Sequence, residues 1–433
     1  MREGLLSAGI AGIAGIVLLA AAGCGGAPME EPAAGPVRMP AEPEPADPEA
    51  IRPFTIAVPD EVLDDLHLRL AQTRLPDEIE GAEWDYGTPL GYLTELITYW
   101  RDEYDWRAQE ARLNAFDQFR TRIDGIDVHF IHQRSPEEDA LPLLITHGWP
   151  GTVVEFMEII GPLTDPAAHG GSADDAFHVI APSIPGYGFS GHPREPGFGP
   201  EQAADVNAAL MARLGYERYG LQGGDWGAII SRWHAFKHAE PVAGLHLNMM
   251  IAGPPPGVED PEAGVPEAEL ERMRERTAFF QGPETGYSHI QGTKPQTLGY
   301  GLNDSPAGQA AWIVEKFRTW CDCDGHPETI FSRDALLTNI MVYWLTESAT
   351  SSARMYYESG MARATGVGQP GRIEVPSAGA IFPHELFYTP RAWAEAHYNL
   401  VRWTEMPRGG HFAAMEQPEL FVDDVRAFFA DLR

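Results

Sequence analysis

An α/β architecture is the fold class this sequence predicts: a mostly parallel sheet, interrupted by a helical insertion and preceded by a helical extension. Three observations predict it. Short, continuous apolar runs recur between helix-like segments. Most of these runs stop at histidine, glycine or proline. The alternation ceases between about residues 252 and 369 and then resumes. Short buried runs alternating with helices are the pattern of a parallel sheet covered on both faces.

Taken in order, residues 1–24 form a unit of their own. Arg2 precedes an apolar stretch, Ala8 to Ala22, which leads into Gly23, Cys24, Gly25 and Gly26. This is the layout of an export signal, with small residues where a peptidase would cut. A cysteine after Ala-Ala-Gly resembles a bacterial lipoprotein signal, which makes Cys24 the expected lipid anchor and the cell envelope the expected location. Residues 25–50 are proline, alanine and glutamate with few large apolar side chains, a composition that predicts a disordered tether. Residues 51–125 read as the helical extension: Val62, Leu63, Leu66, Leu68 and Leu70 fall at helical spacing, and helix is expected to continue over 89–120.

The core reads as two pieces, 126–251 and 370–433, around a helical lid over 252–369. Strands are expected at Val128–Ile131, Leu141–Thr146, Phe177–Ala181, Tyr219–Gln222 and Val242–Met249, with helices at 152–163, 201–214 and 227–238. After the lid, Arg372–Val375 and Leu400–Thr404 read as strands, and 391–397 and 418–432 as helices. Cys321 and Cys323 are separated by one residue and could close only a very small ring, so two free thiols are expected.

Apolar content of 44% suits one large folded core. A formal net charge of −32 argues against nucleic acid as a partner, because phosphates call for lysine and arginine. Contact with a membrane is expected only through the N-terminal anchor. Oligomeric state is not legible from the sequence.

The chemistry concentrates at Tyr219-Gly-Leu-Gln-Gly-Gly-Asp225-Trp226-Gly227. This is the frame of a nucleophile elbow, a strand, sharp turn and helix whose small neighbours let backbones approach. The frame usually reads G-x-S-x-G; here aspartate holds the central position, and no G-x-S-x-G occurs in the chain. A carboxylate there attacks an electrophilic sp³ carbon and forms an ester, whereas serine attacks carbonyls. An aspartate beside such a turn also serves as an ordinary helix cap.

Two further loops agree with the elbow in order and spacing. His147-Gly-Trp149-Pro-Gly follows a buried strand, where the α/β-hydrolase fold places one oxyanion-hole N–H. The other comes from the residue after the nucleophile, so Trp149 and Trp226 are expected to supply the pair. Arg408-Gly-Gly-His411 lies between the last strand and last helix, the position of the general base. Between lid and histidine, Glu385 follows a strand and is the expected acid partner. Glu374, inside a strand, is the weaker candidate.

At this point the chain resembles the epoxide hydrolases of the microsomal and juvenile-hormone type. The resemblance runs from about Ile51 to the C-terminus. It is carried by Pro53-Phe54, Arg74-Leu-Pro, Trp84-Asp-Tyr-Gly, His147-Gly-Trp-Pro-Gly, Pro185-Gly-Tyr-Gly-Phe-Ser-Gly, Gly224-Asp-Trp-Gly, Gly286-Tyr-Ser-His-Ile-Gln, Leu302-Asn-Asp-Ser-Pro, Ser351-Ser-Ala-Arg-Met-Tyr and Arg408-Gly-Gly-His-Phe. It implies two ring-opening phenols, Tyr287 and Tyr356, with Tyr357 a neighbour that could stand in for the second. It also implies an epoxide and water as reactants, a vicinal diol as product, and no metal or organic cofactor, while the aromatic residues of the lid, Phe279, Phe280, Trp312, Phe317 and Trp320, suggest that the epoxide is bulky and apolar. Two other readings share parts of this pattern. A haloalkane dehalogenase uses the same aspartate and histidine but needs halide-binding donors rather than phenols. A non-catalytic carrier of apolar ligands would have no use for a poised Asp-Glu-His set.

Overall fold

The structure is a computed structural model that describes residues 37–40, 43–364 and 369–433. Cys24 and the apolar stretch before it lie outside the described residues.

Among the described residues, nine strands make one sheet. In chain order they are β1 (Arg52–Phe54), β2 (Gln118–Ile123), β3 (Ile126–Gln133), β4 (Leu141–Thr146), β5 (Phe177–Pro182), β6 (Tyr219–Gly223), β7 (Val242–Leu247), β8 (Ile373–Ile381) and β9 (Tyr398–Glu405). In space they run β1-β2-β3-β5-β4-β6-β7-β8-β9. Pairing is antiparallel from β1 through β3 to β5 and parallel everywhere else. Every residue of β4, β5, β6 and β7 is buried, which is why these strands read as unbroken apolar runs.

Alternate side chains feed two layers. Leu143 and Ile145 of β4 join Ile159 of the helix Met157–Thr164 and Phe421 and Phe429 of the helix Pro418–Phe429. Leu144 joins the opposite layer, with Val206 and Leu210 of the helix Pro200–Arg213 and Ala228 of the helix Asp225–Lys237. Each fully buried leucine or phenylalanine stabilises the fold by roughly 1.5–3 kcal/mol. Around β4 the strand order reverses, β5 lying on one side and β6 on the other. Sheets of this kind bind ligands beyond the carboxyl ends of the strands at such a reversal.

Between β7 and β8 the described residues leave the sheet for six α-helices, Glu267–Phe279, Thr285–Thr293, Pro295–Leu302, Pro306–Trp320, Arg333–Leu345 and Ala349–Ala364. Ser305 caps the fourth through Gly308 N, and Ser332 caps the fifth through Ala335 N. The helix Leu90–Asp102 offers Leu93, Leu96, Ile97 and Trp100 at i, i+3, i+4 and i+7, and this stripe packs in one cluster with Ile313, Phe317, Leu336 and Ile340. Tyr99 Oη donates to Asp334 Oδ1 at 2.8 Å, and Tyr104 Oη lies 3.0 Å from Thr338 Oγ1. The N-terminal extension thereby fixes the lid from outside.

Three local features differ from the sequence reading. The helix expected over 89–120 ends at Leu113, and Gln118–Ile123 is instead β2, held by β1 on one side and β3 on the other. Residues 48 and 49 of the expected tether lie along β2: Arg122 N donates to Pro48 O at 2.9 Å and Thr121 Oγ1 to Glu49 O at 2.7 Å. Cys321 and Cys323 are not free thiols; they form a disulfide. Only Asp322 separates them, and their Cα atoms stand 5.3 Å apart, within the span a disulfide bridges.

Candidate active site

β6 ends at Gly223, and the next helix begins two residues later with Asp225, whose φ is +49°. A non-glycine residue in this region is strained, and the strain lifts the side chain out of the sheet at its carboxyl edge. The helix can start this close to β4 only because Gly227 has no side chain; a Cβ there would lie 1.8 Å from Thr146 O.

Three partners meet Asp225. Trp149 N donates to Oδ1 at 2.7 Å. Trp226 is the second residue of the helix, where N–H groups have no partner within the helix. His411 Nε2 stands 3.4 Å from Oδ2. The other ring nitrogen, Nδ1, lies 2.7 Å from Glu385 Oε1, which also accepts from Leu386 N at 2.5 Å. The histidine loop is clamped by buried Glu416, whose Oε2 accepts from Gly410 N and Asp322 N at 2.8 Å and whose Oε1 accepts from Phe412 N at 2.9 Å. Glu374 is exposed on β8 and pairs with Arg372 at 3.6 Å, far from this role.

The lid supplies the roof. Tyr287 stacks on Trp149 with ring centroids 4.9 Å apart and planes 8° from parallel. Tyr356 stands edge-on to Trp226 at 4.8 Å and to Tyr287 at 5.7 Å. Its hydroxyl is buried and faces that of Tyr287, short of full hydrogen-bond geometry. Tyr357 instead points to the surface, 36% exposed.

Charge and burial set the protonation states. Burial works against a charged His411, but the carboxylates of Glu385 and Asp225 outweigh it and hold the imidazole well above its ordinary range. Burial, reinforced by the charge of Asp225, pushes the Tyr287 and Tyr356 phenols up, so both remain donors at working pH. The group can therefore offer a carboxylate nucleophile, an oriented base and two neutral phenolic donors.

Comparison with known proteins agrees with this geometry. Residues 51–156 match the family model described as epoxide hydrolase N terminus, and residues 142–286 match that of the alpha/beta hydrolase fold. Epoxide hydrolase 1 of Sus scrofa is 42% identical, over 91% of this chain and 91% of its own. The chain belongs to the epoxide hydrolases of the microsomal and juvenile-hormone type. Juvenile hormone epoxide hydrolase 1 of Ctenocephalides felis is 39% identical, over 87% of this chain and 85% of its own. The crystal structure of the juvenile hormone epoxide hydrolase of the silkworm Bombyx mori superposes with a TM-score of 0.82 at 35% identity, covering 89% of this chain and 95% of that one.

For an epoxide hydrolase, the space next to the chemistry is small. A cavity of about 10 Å³ is lined by Asp225, His411, Gln222, Asn248, Thr146 and Glu155. Two larger surface clefts, of about 550 and 510 Å³, share none of these residues, so the chemistry and not the volume locates the site. Among the described residues no three histidine, cysteine or acidic side chains converge as metal ligands would. Sequence reasoning missed Glu155 and Glu416. Both are carboxyls that burial pushes up, to about 8 and about 7. Glu416 lies five residues after His411, at the end of the short helix Ala413–Glu416 that follows the histidine loop, and an acid so close to that loop would have been its signal.

Proposed function

We propose that this epoxide hydrolase converts a bulky apolar epoxide to a vicinal diol in two covalent steps. In the first, Asp225 attacks an epoxide carbon, the C–O bond breaks, and Tyr287 and Tyr356 hydrogen-bond the departing oxygen, one of them passing it a proton. Alkoxide is a poor leaving group, so donors opposite the nucleophile are what ring opening requires. The product is a hydroxyalkyl ester of Asp225. In the second step His411 takes a proton from water, the resulting hydroxide attacks the ester carbonyl, and the N–H groups of Trp149 and Trp226 receive the oxyanion. The imidazolium protonates the departing alcohol oxygen to release the diol, and the proton left on the Asp225 carboxyl restores the phenol.

The single observation that supports this reading best is the chain of contacts Trp149 N–Asp225–His411–Glu385, at 2.7, 3.4 and 2.7 Å. It also accounts for a change in the base between steps. Asp225 is one of the charges that raises the imidazole, and esterification removes that charge, leaving His411 more readily neutral when a base is needed. Aromatic walls, Trp149, Trp226, Trp320 and the two tyrosines, favour an apolar substrate.

The test is an acid quench of His411→Gln after mixing with styrene oxide. The peptide carrying Asp225 should gain the mass of one substrate molecule. No mass gain, with diol still released, would overturn the covalent route. Export and lipidation at Cys24 form a separate proposal, supported by the sequence and tested by palmitate labelling that Cys24→Ala abolishes.

A further inference from the structure

The loop that delivers Trp149 N also carries a carboxyl for which the two steps above have no use. Glu155 sits in a single turn, Val153–Phe156, capped by Thr152 Oγ1 accepting from Val154 N. The lid helix Arg333–Leu345 fixes this turn from above. Thr152 Oγ1 donates to Asn339 Oδ1 at 2.9 Å, Asn339 Nδ2 to Pro150 O at 2.7 Å, and Tyr343 Oη to Gly151 O at 2.9 Å.

Two features aim the carboxyl at the reacting atoms. A Cβ at residue 151 would lie 1.5 Å from Glu155 Oε1, so glycine there is what lets the carboxyl fold back across its own loop. Successive peptide groups then serve two acids: Gly148 hydrogen-bonds Glu155 from the backbone, and Trp149 N donates to Asp225. Glu155 lines the same cavity as Asp225 and His411, with Gln222, Asn248 and Thr146 among its other polar walls. At about 10 Å³ that cavity has room for the centre of one water, and its polar wall offers the two to four partners an ordered water needs.

We propose that Glu155 is a positioning residue for the hydrolytic water, holding it in this cavity between His411 Nε2 and the carbonyl carbon of the Asp225 ester. The inference rests on the two-step reading and deepens its second half. Glu155 adds and removes no atoms in the balance: the water's proton goes to His411, its oxygen to the Asp225 carbonyl carbon, and the ester C–O bond breaks to release the diol. What the carboxyl supplies is an acceptor that holds the water's second hydrogen and turns its lone pair toward the ester. With burial holding it up to about 8, the carboxyl keeps its proton near neutral pH and accepts through its carbonyl oxygen. A glutamine would keep that acceptor; a leucine would not.

The two half-reactions are separable by stopped-flow tryptophan fluorescence with styrene oxide, because Trp149 and Trp226 flank the nucleophile. Glu155→Leu should form the ester within about twofold of the wild-type rate and hydrolyse it at least about tenfold more slowly, the scale of a misplaced reactant. Glu155→Gln should restore hydrolysis to within about threefold of wild type, a rescue expected from a retained hydrogen-bond acceptor. Hydrolysis at wild-type speed in Glu155→Leu, an equal fall in both phases, or a glutamine variant as slow as the leucine one would each overturn the proposal. Failure of the underlying reading looks different: no ester would form even in the wild type.

Discussion

Tyr356→Phe separates chemistry from stability. The Tyr356 hydroxyl is buried and faces that of Tyr287 without full hydrogen-bond geometry, so its removal deletes an incompletely satisfied polar group. Such a group carries an uncompensated desolvation penalty of about 1–3 kcal/mol, so the folded state should be unharmed or slightly more stable. The same hydroxyl is one of two donors to the oxygen that develops charge during ring opening. Loss of one preorganised donor costs about 2.7–4 kcal/mol in the barrier, or about a hundredfold to a thousandfold in rate. The ring itself remains packed edge-on to Trp226 and Trp149 at 4.8 and 5.9 Å, so the fluorescence signal for ester formation survives. Stopped-flow alkylation and a thermal melt on the same preparation give both quantities. A melting temperature at or above wild type together with slow alkylation is the expected result. Alkylation at wild-type speed, or a fall in melting temperature that tracks the fall in rate, would refute the reasoning.

Other consequences are as direct. Glu385→Gln removes the charge that most raises His411, so the acid limb of ester hydrolysis should move to lower pH while the rate on its plateau falls about a hundredfold, read from single-turnover rates across pH. Gly227→Ala puts a Cβ 1.8 Å from Thr146 O, a backbone atom that cannot step aside, and should lower stability by about 3 kcal/mol or more in urea unfolding; a loss under about 1 kcal/mol would contradict the close-packed elbow. Asp424 is opposed by burial but held down to about 2 by His246, Arg402 and Thr404. A depressed carboxylate contributes stability above its unfolded pKa and loses it as pH falls, so unfolding free energy should drop between about pH 4 and 2, and less steeply in Asp424→Asn.

The sheet centre was legible because burial on both faces writes itself as unbroken apolar runs. Leu141–Thr146 is a strand over the range its composition suggests. The antiparallel edge was not legible. Gln118-Phe-Arg-Thr-Arg-Ile carries two arginines after a helix-rich stretch, and a strand of that composition is recognisable only once β1 and β3 are beside it. At the site, glycine punctuation marked Asp225 and His411, since the elbow and the histidine loop both need close backbone approach. Glu385 followed from chain order. The two tyrosines had no local signal and came only through the family resemblance. Glu155 was hidden for a different reason. It occupies an ordinary position in a stretch read as helix, and its significance comes from Gly151 and the cavity that the fold closes around it.

The central claim is a transient bond between Asp225 and substrate carbon. A single turnover of styrene oxide by excess enzyme in ¹⁸O-water tests it most directly, with the diol and the Asp225 peptide both weighed. The account predicts unlabelled diol and one heavy oxygen retained in Asp225, because water attacks the ester carbonyl and not the substrate. Heavy oxygen in the diol on that first turnover, with Asp225 unlabelled, would contradict it.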